Sequence, residues 1–412
     1  MASVPRLLLL LPTTTYRTQA FLDAARQLGV EIVSASERPN VFEEQVPGNL
    51  ITLDFADPAG AAETIAAFGR DHPIDAVVAV DDLTTVVAAA IADRLGLKAN
   101  PVAAATAARD KHEMRQRLRA AGVPVPAFRL VSLDDDPLAA ARGVAFPCVL
   151  KPRTLSASRG VIRADDPEAF ARAFHRIAAL LKRDGVAVAG EAARSLLVEE
   201  FIPGLEVAVE GLLTQGTLHT LALFDKPDPL DGPFFEETIY VTPSRLPDEV
   251  QKRIVAVADD ACAALGLVEG PIHAELRVND RGPWVLEVAA RSIGGLCSRT
   301  LRFGTGMTLE ELILRRALAL PIASLDRERR PAGVMMIPIP RAGRLRAVRG
   351  QEAAEAVPAI EEVAITAHLE QELVPLPEGW QYLGFIFARA DTPAVVEDAL
   401  RQAHARLEFE IE

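Results

Sequence analysis

Residues 6–95 alternate short apolar runs with helical patterns, and that rhythm constrains the fold more than any other feature of the chain. The runs 6–11, 30–34 and 76–80 read as buried strands, while 18–28, 58–70 and 83–95 carry apolar residues at helical spacing. Strand–helix–strand units of this kind require a parallel sheet with helices on both faces. The run 7–11 is five residues long and stopped by Pro12, so it is a strand and not a signal-peptide core. No other segment is long enough to span a membrane. The turn that follows, Pro12-Thr13-Thr14-Thr15, lacks the GxGxxG spacing that cradles a dinucleotide. Asp81 and Asp82 end the strand 76–80, where such sheets place ligands and where a helix N-cap pair would serve equally.

At 412 residues the chain exceeds one ordinary core, so roughly two to four domains are expected. A net charge of −13 argues against a general nucleic-acid binder, which needs a basic surface. Cys148, Cys262 and Cys297 are far apart and form no zinc pattern, which indicates reduced thiols and a soluble cytoplasmic protein. A helical stretch over 101–121 leads to the break Gly122-Val123-Pro124-Val125-Pro126. Beyond it lie a strand (146–151), a polar loop (153–160), a strand (161–163) and a helix (167–182) whose Phe170, Phe174, Ile177 and Leu181 face a core. Strands dominate 196–288, interrupted by a helix over 248–265. A small α+β tail follows from about residue 321 and ends in a helix over 393–407.

The hairpin 275–287 is the most informative piece for chemistry. The run Asn279-Asp280-Arg281-Gly282-Pro283 suggests a three-residue turn, Asp280 to Gly282. With Asn279 opposite Pro283, Arg277 pairs with Val285 and Glu275 with Glu287, and Leu276, Val278, Trp284, Leu286 and Val288 share an apolar face. Two carboxylates directly across a ladder repel. A divalent cation removes that repulsion, and hard oxygens suit magnesium, with manganese as a substitute. Two unrelated acids on a solvated edge are the alternative.

Arg291 and the loop Ser292-Ile293-Gly294-Gly295 follow, a fork and a pair of glycines suited to a phosphate or carboxylate. Lys151 ends a strand before the small-residue loop holding Ser156, Ser158 and Gly160, which can cover phosphates. Lys111 opens a helix and by itself reads as a solvated lysine. Glu199, Glu200, Ile202 and Glu206 frame a Pro-Gly turn, where an acid suits ribose hydroxyls and the backbone an adenine edge; a hairpin with exposed acids fits equally. His273 shares a face with Glu275 and is either a neighbour of the site or a structural histidine. Thr308 and Glu311 read as a capping box.

Taken in order, Lys111, Val149-Leu150-Lys151-Pro152, the serine-rich loop, the stretch Val198 to Glu206, Glu275, Glu287 and Arg291 resemble the ATP-grasp superfamily. The runs Phe303 to Leu309, Met336 to Pro340 and Tyr382 to Ile386 resemble its L-amino-acid ligase branch, so the tail is expected to carry family identity more than chemistry. The resemblance implies α/β plus α+β architecture: a Rossmann-like N-terminal domain (1–105), an ATP-grasp small lobe with linker helices (106–203), a large lobe with the metal site (204–320) and a ligase-type α+β region (321–412). It implies that Lys111 and Lys151 bind ATP phosphates, that Glu199, Glu200 and Ile202 contact adenine and that Glu206 binds ribose. The expected activity is ATP-dependent amide or dipeptide formation through an acyl phosphate, with Lys151 and Arg291 stabilising phosphoryl charge and the loop 153–160 as a water-excluding lid. His273, Lys226, Glu237, Gly294 and Gly295 are expected near the substrates, small carboxylates and amines of amino-acid type. A homodimer is the default oligomer. Where many such ligases carry Glu-x-Asn-x-Arg, this chain reads Glu287-Val288-Ala289-Ala290-Arg291, so one ligand of a second magnesium is missing. Two other readings stay open: a carboxylase activating bicarbonate, and a nucleotide-binding regulator without catalysis.

Overall fold

The computed structural model describes residues 4–39, 48–183, 188 and 190–412. The βαβ rhythm becomes a parallel sheet in the order Leu50–Thr52, Glu31–Ser36, Arg6–Leu10, Ala76–Ala79. Leu50–Thr52 was not legible from periodicity, being only three residues long. Leu8 and Leu10 point into the core formed with Val87 and Ile91 of the helix Asp82–Leu95. Leu7 and Leu9 point the other way, into a larger core shared with Phe224, Leu312, Val334 and Phe385 from much later in the chain. Two-sided burial of one strand therefore fastens the N-terminal unit to the rest of the molecule.

The helical stretch 101–121 is two helices, Val102–Arg109 and Lys111–Ala120, the second opening at Lys111 as the sequence indicates. Asp110 breaks it: its backbone is extended, and its carboxylate accepts from the N–H groups of His112 and Glu113, capping the second helix. A four-stranded antiparallel sheet follows, in the order Phe128–Ser132, Ser195–Glu200, Cys148–Pro152, Ile162–Ala164. The helix Pro167–Leu181 covers it with Phe170, Phe174, Ile177 and Leu181, as their spacing requires.

An eight-stranded antiparallel sheet forms the centre, in the order Gly282–Ala289, Gly270–Asn279, Leu205–Thr214, Thr217–Lys226, Ile239–Thr242, Ala332–Ile337, Gly384–Arg389, Ile360–Ile365. The tail strands thus extend the central sheet, while Glu372–Leu373, Gly343–Arg349 and Glu408–Ile411 make a small sheet beside it. The helices Asp248–Leu265 and Pro393–His404 cover successive parts of one face. Thr308 caps the helix Leu309–Ala317 by accepting from the Glu311 N–H. No helix among the described residues is long and apolar enough to cross a membrane.

Candidate active site

The hairpin closes differently from its expected form. Asn279 pairs with Gly282, so the loop is the two residues Asp280 and Arg281, and Gly282 takes the left-handed φ of 119°. Arg277 consequently faces Trp284 and not Val285. A bulge at Leu286 then adds one residue and restores the pairing of Glu275 with Glu287. The bulge also turns Leu286 away from the expected apolar face: Val285 and Val288 are in the core, whereas Leu286 and Glu287 both line a cleft.

That cleft encloses about 310 Å³ between the four-stranded sheet, the central sheet, the C-terminal ends of the parallel strands and a loop of the tail. Strand alternation sorts the central sheet: Val207, Val209, Ala274 and Leu276 enter the core, and Glu206, Glu210, His273, Glu275 and Arg277 face the opposite side. Cross-strand register makes ion pairs of the latter. His273 lies opposite Glu210 and donates or accepts through Nδ1 at 3.1 Å, and Arg277 lies opposite Glu206 and donates through Nε at 3.0 Å. Lys226, also opposite Glu206, reaches Glu206 at 2.9 Å, Glu275 at 3.1 Å and Glu237.

The oxygens of Glu206, Glu237 and Glu275 lie within 4.8 Å of one another around this one ammonium. Burial and the neighbouring Glu275 charge, against the pull of Lys226, push Glu237 up to about 7. Burial also opposes ionisation of Glu275, but Lys226 and His273 outweigh it and hold that carboxyl well below its ordinary range. His273 rises to about 9 because its bonds to Glu210 and Glu275 overcome burial. Lys226, Arg277 and His273 thus face Glu206, Glu210, Glu237 and Glu275, one carboxylate more than there are cations. Glu275, the acid at the open end of this cluster opposite Glu287, offers hard oxygens of the kind that suit a divalent ion.

Glu287 faces Lys111 at 3.2 Å. Lys111 is not on the surface; it is only 4% exposed, and its ammonium also donates to the Leu155 carbonyl at 2.8 Å. Lys151 pairs with Glu199 at 2.6 Å, and Arg115 holds the other oxygen of Glu199 at 2.5 Å while donating to the bulge carbonyl of Leu286. Arg291 aims Nε and an Nη at Asp82 at 3.1 and 2.9 Å. Asp82 is held well below its usual range, its burial outweighed by Arg291 and Arg109. Asp81 occupies the N-cap of the helix Asp82–Leu95 but makes no side-chain cap bond, and both acids line the cleft.

Of the residues singled out from sequence, Lys111, Lys151, Ser156, Ser158, Glu199, Glu200, Ile202, Glu206, Glu237, His273, Glu275, Glu287, Arg291, Gly294 and Gly295 line this cleft. Lys226 sits in the layer beneath the acids, and Gly160 turns away to donate to the Pro377 carbonyl at 2.8 Å. The Ile202 carbonyl accepts from Arg277 at 2.9 Å. Sequence reading missed Arg115, Arg277, Glu210 and the wall of Tyr16, Tyr240, Met336, Trp380 and Tyr382. Arg277 carried a signal, two residues from Glu275 on the same strand face. The tail contributes Met336, Trp380 and Tyr382, so it carries more than family identity.

The chain matches family models described as an ATP-grasp domain over residues 144–300, an ATP-grasp N-terminal domain over 22–98 and an L-amino acid ligase C-terminal domain 2 over 335–412. Alanine–anticapsin ligase of Bacillus subtilis (strain 168) is 31% identical over 284 residues, 65% of this chain and 60% of that protein. Carnosine synthase 1 of Mus musculus is 28% identical over 296 residues, 67% of this chain and 35% of that protein. This chain therefore spans less than two thirds of the length of either relative. The crystal structure of an L-amino acid ligase from Bacillus licheniformis matches with a TM-score of 0.83 at 26% identity over 99% of both chains.

Proposed function

Because the chain belongs to the ATP-grasp superfamily, in its L-amino-acid ligase branch, we propose that it joins a small carboxylic acid to an amine, both of amino-acid type, with conversion of ATP to ADP and phosphate. The observation that carries this reading is the facing pair Glu275 and Glu287 inside the cleft, each countered by a lysine and followed by Arg291. A carboxylate oxygen of the acid attacks the γ-phosphorus, the bond to ADP breaks, and an acyl phosphate results. The amine nitrogen then attacks the acyl carbon, phosphate leaves, and the nitrogen loses a proton. Magnesium bound by Glu275 and Glu287 would neutralise phosphate oxygens.

The chain's own residues position and shield. Lys111 and Lys151 bring ammonium groups to phosphate oxygens, and Glu199 with Arg115 fixes where Lys151 can reach. Ala157 and Ser158 adopt left-handed φ values of 56° and 54°, and consecutive backbone amides in such a turn, with Ser156 and Ser158, suit a phosphate. Glu199, Glu200 and Ile202 flank the adenine position, and Glu206, oriented by Arg277 and Lys226, presents its remaining lone pairs to ribose. Arg291, shared with Asp82, stabilises transferred phosphoryl charge. Ala289 offers no metal ligand, so the reading rests on one firmly held ion. Three free, buried cysteines fit a reducing compartment, and we place the enzyme in the cytoplasm.

Purified protein incubated with Mg-ATP and pooled amino acids is expected to release phosphate and yield a new amide by mass spectrometry, with hydroxamate formed when hydroxylamine is added. Glu287→Gln should lower turnover by roughly a hundredfold or more. Full turnover in that variant would remove the metal assignment, and phosphate release that depends on bicarbonate would replace the ligase reading with a carboxylase.

A further inference from the structure

The tail loop 374–382 touches two parts of the cleft at once. Its far end supplies Trp380 and Tyr382 to the cleft wall, where Tyr382 donates its N–H to the Tyr16 hydroxyl at 3.4 Å. Its near end grips the serine-rich loop: the Pro377 carbonyl accepts from the Gly160 N–H at 2.8 Å, and the Glu378 carbonyl accepts from Arg159 Nε at 2.8 Å. The Glu378 carboxylate takes both arms of Arg176, at 2.5 and 2.8 Å, from the helix Pro167–Leu181 that backs the same lobe. Between the two ends Gly379 makes a turn that no side chain permits, since a Cβ there would sit 1.7 Å from the Val374 carbonyl oxygen. The turn, closed by the Gly379 N–H on the Pro375 carbonyl at 2.8 Å, thus joins the two ends directly.

The loop 153–160 is tied at its start as well. Lys111 donates its N–H to the Arg153 carbonyl at 2.9 Å, and Arg153 pairs with Asp110 at 2.6 Å. Its start therefore follows the capped helix that carries Lys111, and its end follows the tail. An isolated, half-exposed ion pair contributes little. The Arg176–Glu378 pair differs in being forked on both arms, with Glu378 only 14% exposed, and in standing beside two bonds that consecutive loop residues donate to tail carbonyls, the Arg159 side chain to Glu378 and the Gly160 N–H to Pro377.

We propose that Glu378 is a positioning residue that holds the serine-rich loop 153–160 against the tail, so that the loop closes over the nucleotide phosphates only when the tail loop has seated Trp380 and Tyr382 in the cleft wall, where they would meet the substrates. This couples occupancy of the substrate end to enclosure of ATP, and it rests on the ligase reading of the site. Coupling of this kind keeps water from an acyl phosphate and keeps ATP from being spent without an acceptor.

The full-length protein is compared with Glu378→Gln and with the exchanged pair Arg176→Glu/Glu378→Arg. Amide hydrogen exchange of residues 153–160, measured without nucleotide, is expected to speed up about fivefold in Glu378→Gln and to return toward the parent rate in the exchanged pair. With Mg-ATP and accepted substrates, Glu378→Gln should raise KM for ATP by a similar factor with kcat within about twofold of the parent, and the exchanged pair should restore KM. Unchanged exchange and unchanged KM in Glu378→Gln would overturn the proposal. So would a fall in kcat at constant KM, or an exchanged pair no better than the single variant. The exchange arm needs no turnover, so a parent protein that forms no amide would remove the ligase reading while the tie between loop and tail is still decided.

Discussion

Glu199 is 2% exposed and stands between two cations, Arg115 at 2.5 Å and Lys151 at 2.6 Å. Burial opposes its ionisation, but the two charges and their hydrogen bonds hold it below the ordinary carboxylate range. Removing Arg115 takes the donor from one oxygen of the buried Glu199 and from the Leu286 carbonyl together, and leaving such buried charged and polar acceptors unpaired costs about 3 kcal/mol. Arg115→Met is therefore expected to lower stability by about that amount in urea unfolding, and to weaken ATP binding further because Lys151 loses its fixed neighbour. Lys151→Met should bind ATP poorly with a smaller loss of stability, since Arg115 still neutralises Glu199. Arg115 drew no attention in the sequence, and Lys111 read there as a solvated lysine. Both misreadings have one cause: they lie on a short, strongly charged helix whose burial comes from the strands 195–200 and 282–289 packed over it. A charge becomes legible as buried only when its partner, here 84 residues away, is known.

At the scale of elements, the legible parts were those whose period or punctuation is local. The helices Thr18–Leu28 and Asp248–Leu265 follow their apolar spacing to the residue, each ending at a left-handed glycine. The hairpin's carboxylate pair was legible too, although by a register that the structure replaces with a two-residue turn and a bulge. Alternation alone cannot place an extra residue in a strand; the bulge became visible only through Leu286, whose side chain lines the cleft and whose carbonyl accepts from Arg115. Asp110 is punctuation that was legible only in part: the sequence shows a helix opening at Lys111 after it, but not what its carboxylate binds. It caps the helix of Lys111 and pairs with Arg153 at the start of the serine-rich loop. Asp110→Ala should lower stability by about 1 kcal/mol. It should also raise KM for ATP, because the helix start that aims Lys111 at Glu287 loses its cap; a KM equal to the parent's would show that Lys111 is placed by packing alone.

For the whole molecule, the N-terminal unit is fastened onto the ATP-grasp lobes through one buried and one partly buried bridge. Arg17 reaches Glu310 at 3.0 Å and the Ser292 hydroxyl at 2.7 Å, and Arg291 holds Asp82 at 2.9 Å. The order of units along the chain was legible from sequence, but this docking was not, since each bridge spans more than 200 residues. Both acids are depressed in the folded protein: Glu310 because Arg17 and Ser298 outweigh burial, Asp82 because Arg291 and Arg109 do. A carboxyl with a lowered folded pKa contributes stability that is fully present above its unfolded value, 4.5 for Glu and 3.8 for Asp, and is lost as pH falls through the folded value. Docking should therefore hold from neutrality to about pH 4.5 and weaken progressively below it. Glu310→Gln carries no such titration. At pH 7 it should be less stable than the parent by about 2 kcal/mol, the scale of a hydrogen bond to a buried charge. The gap should narrow once pH falls below 4.5 and close as it passes through the lowered folded value of Glu310, where the parent's carboxyl becomes neutral as well. Urea unfolding of both proteins between pH 7 and 3 measures this, with amide exchange of residues 6–10 reporting the docked strand. Parallel pH curves would show that Arg17 and Glu310 do not share a charge across the interface, and that the apolar contacts of Leu7 and Leu9 and the Arg291–Asp82 bridge fasten the N-terminal unit without them.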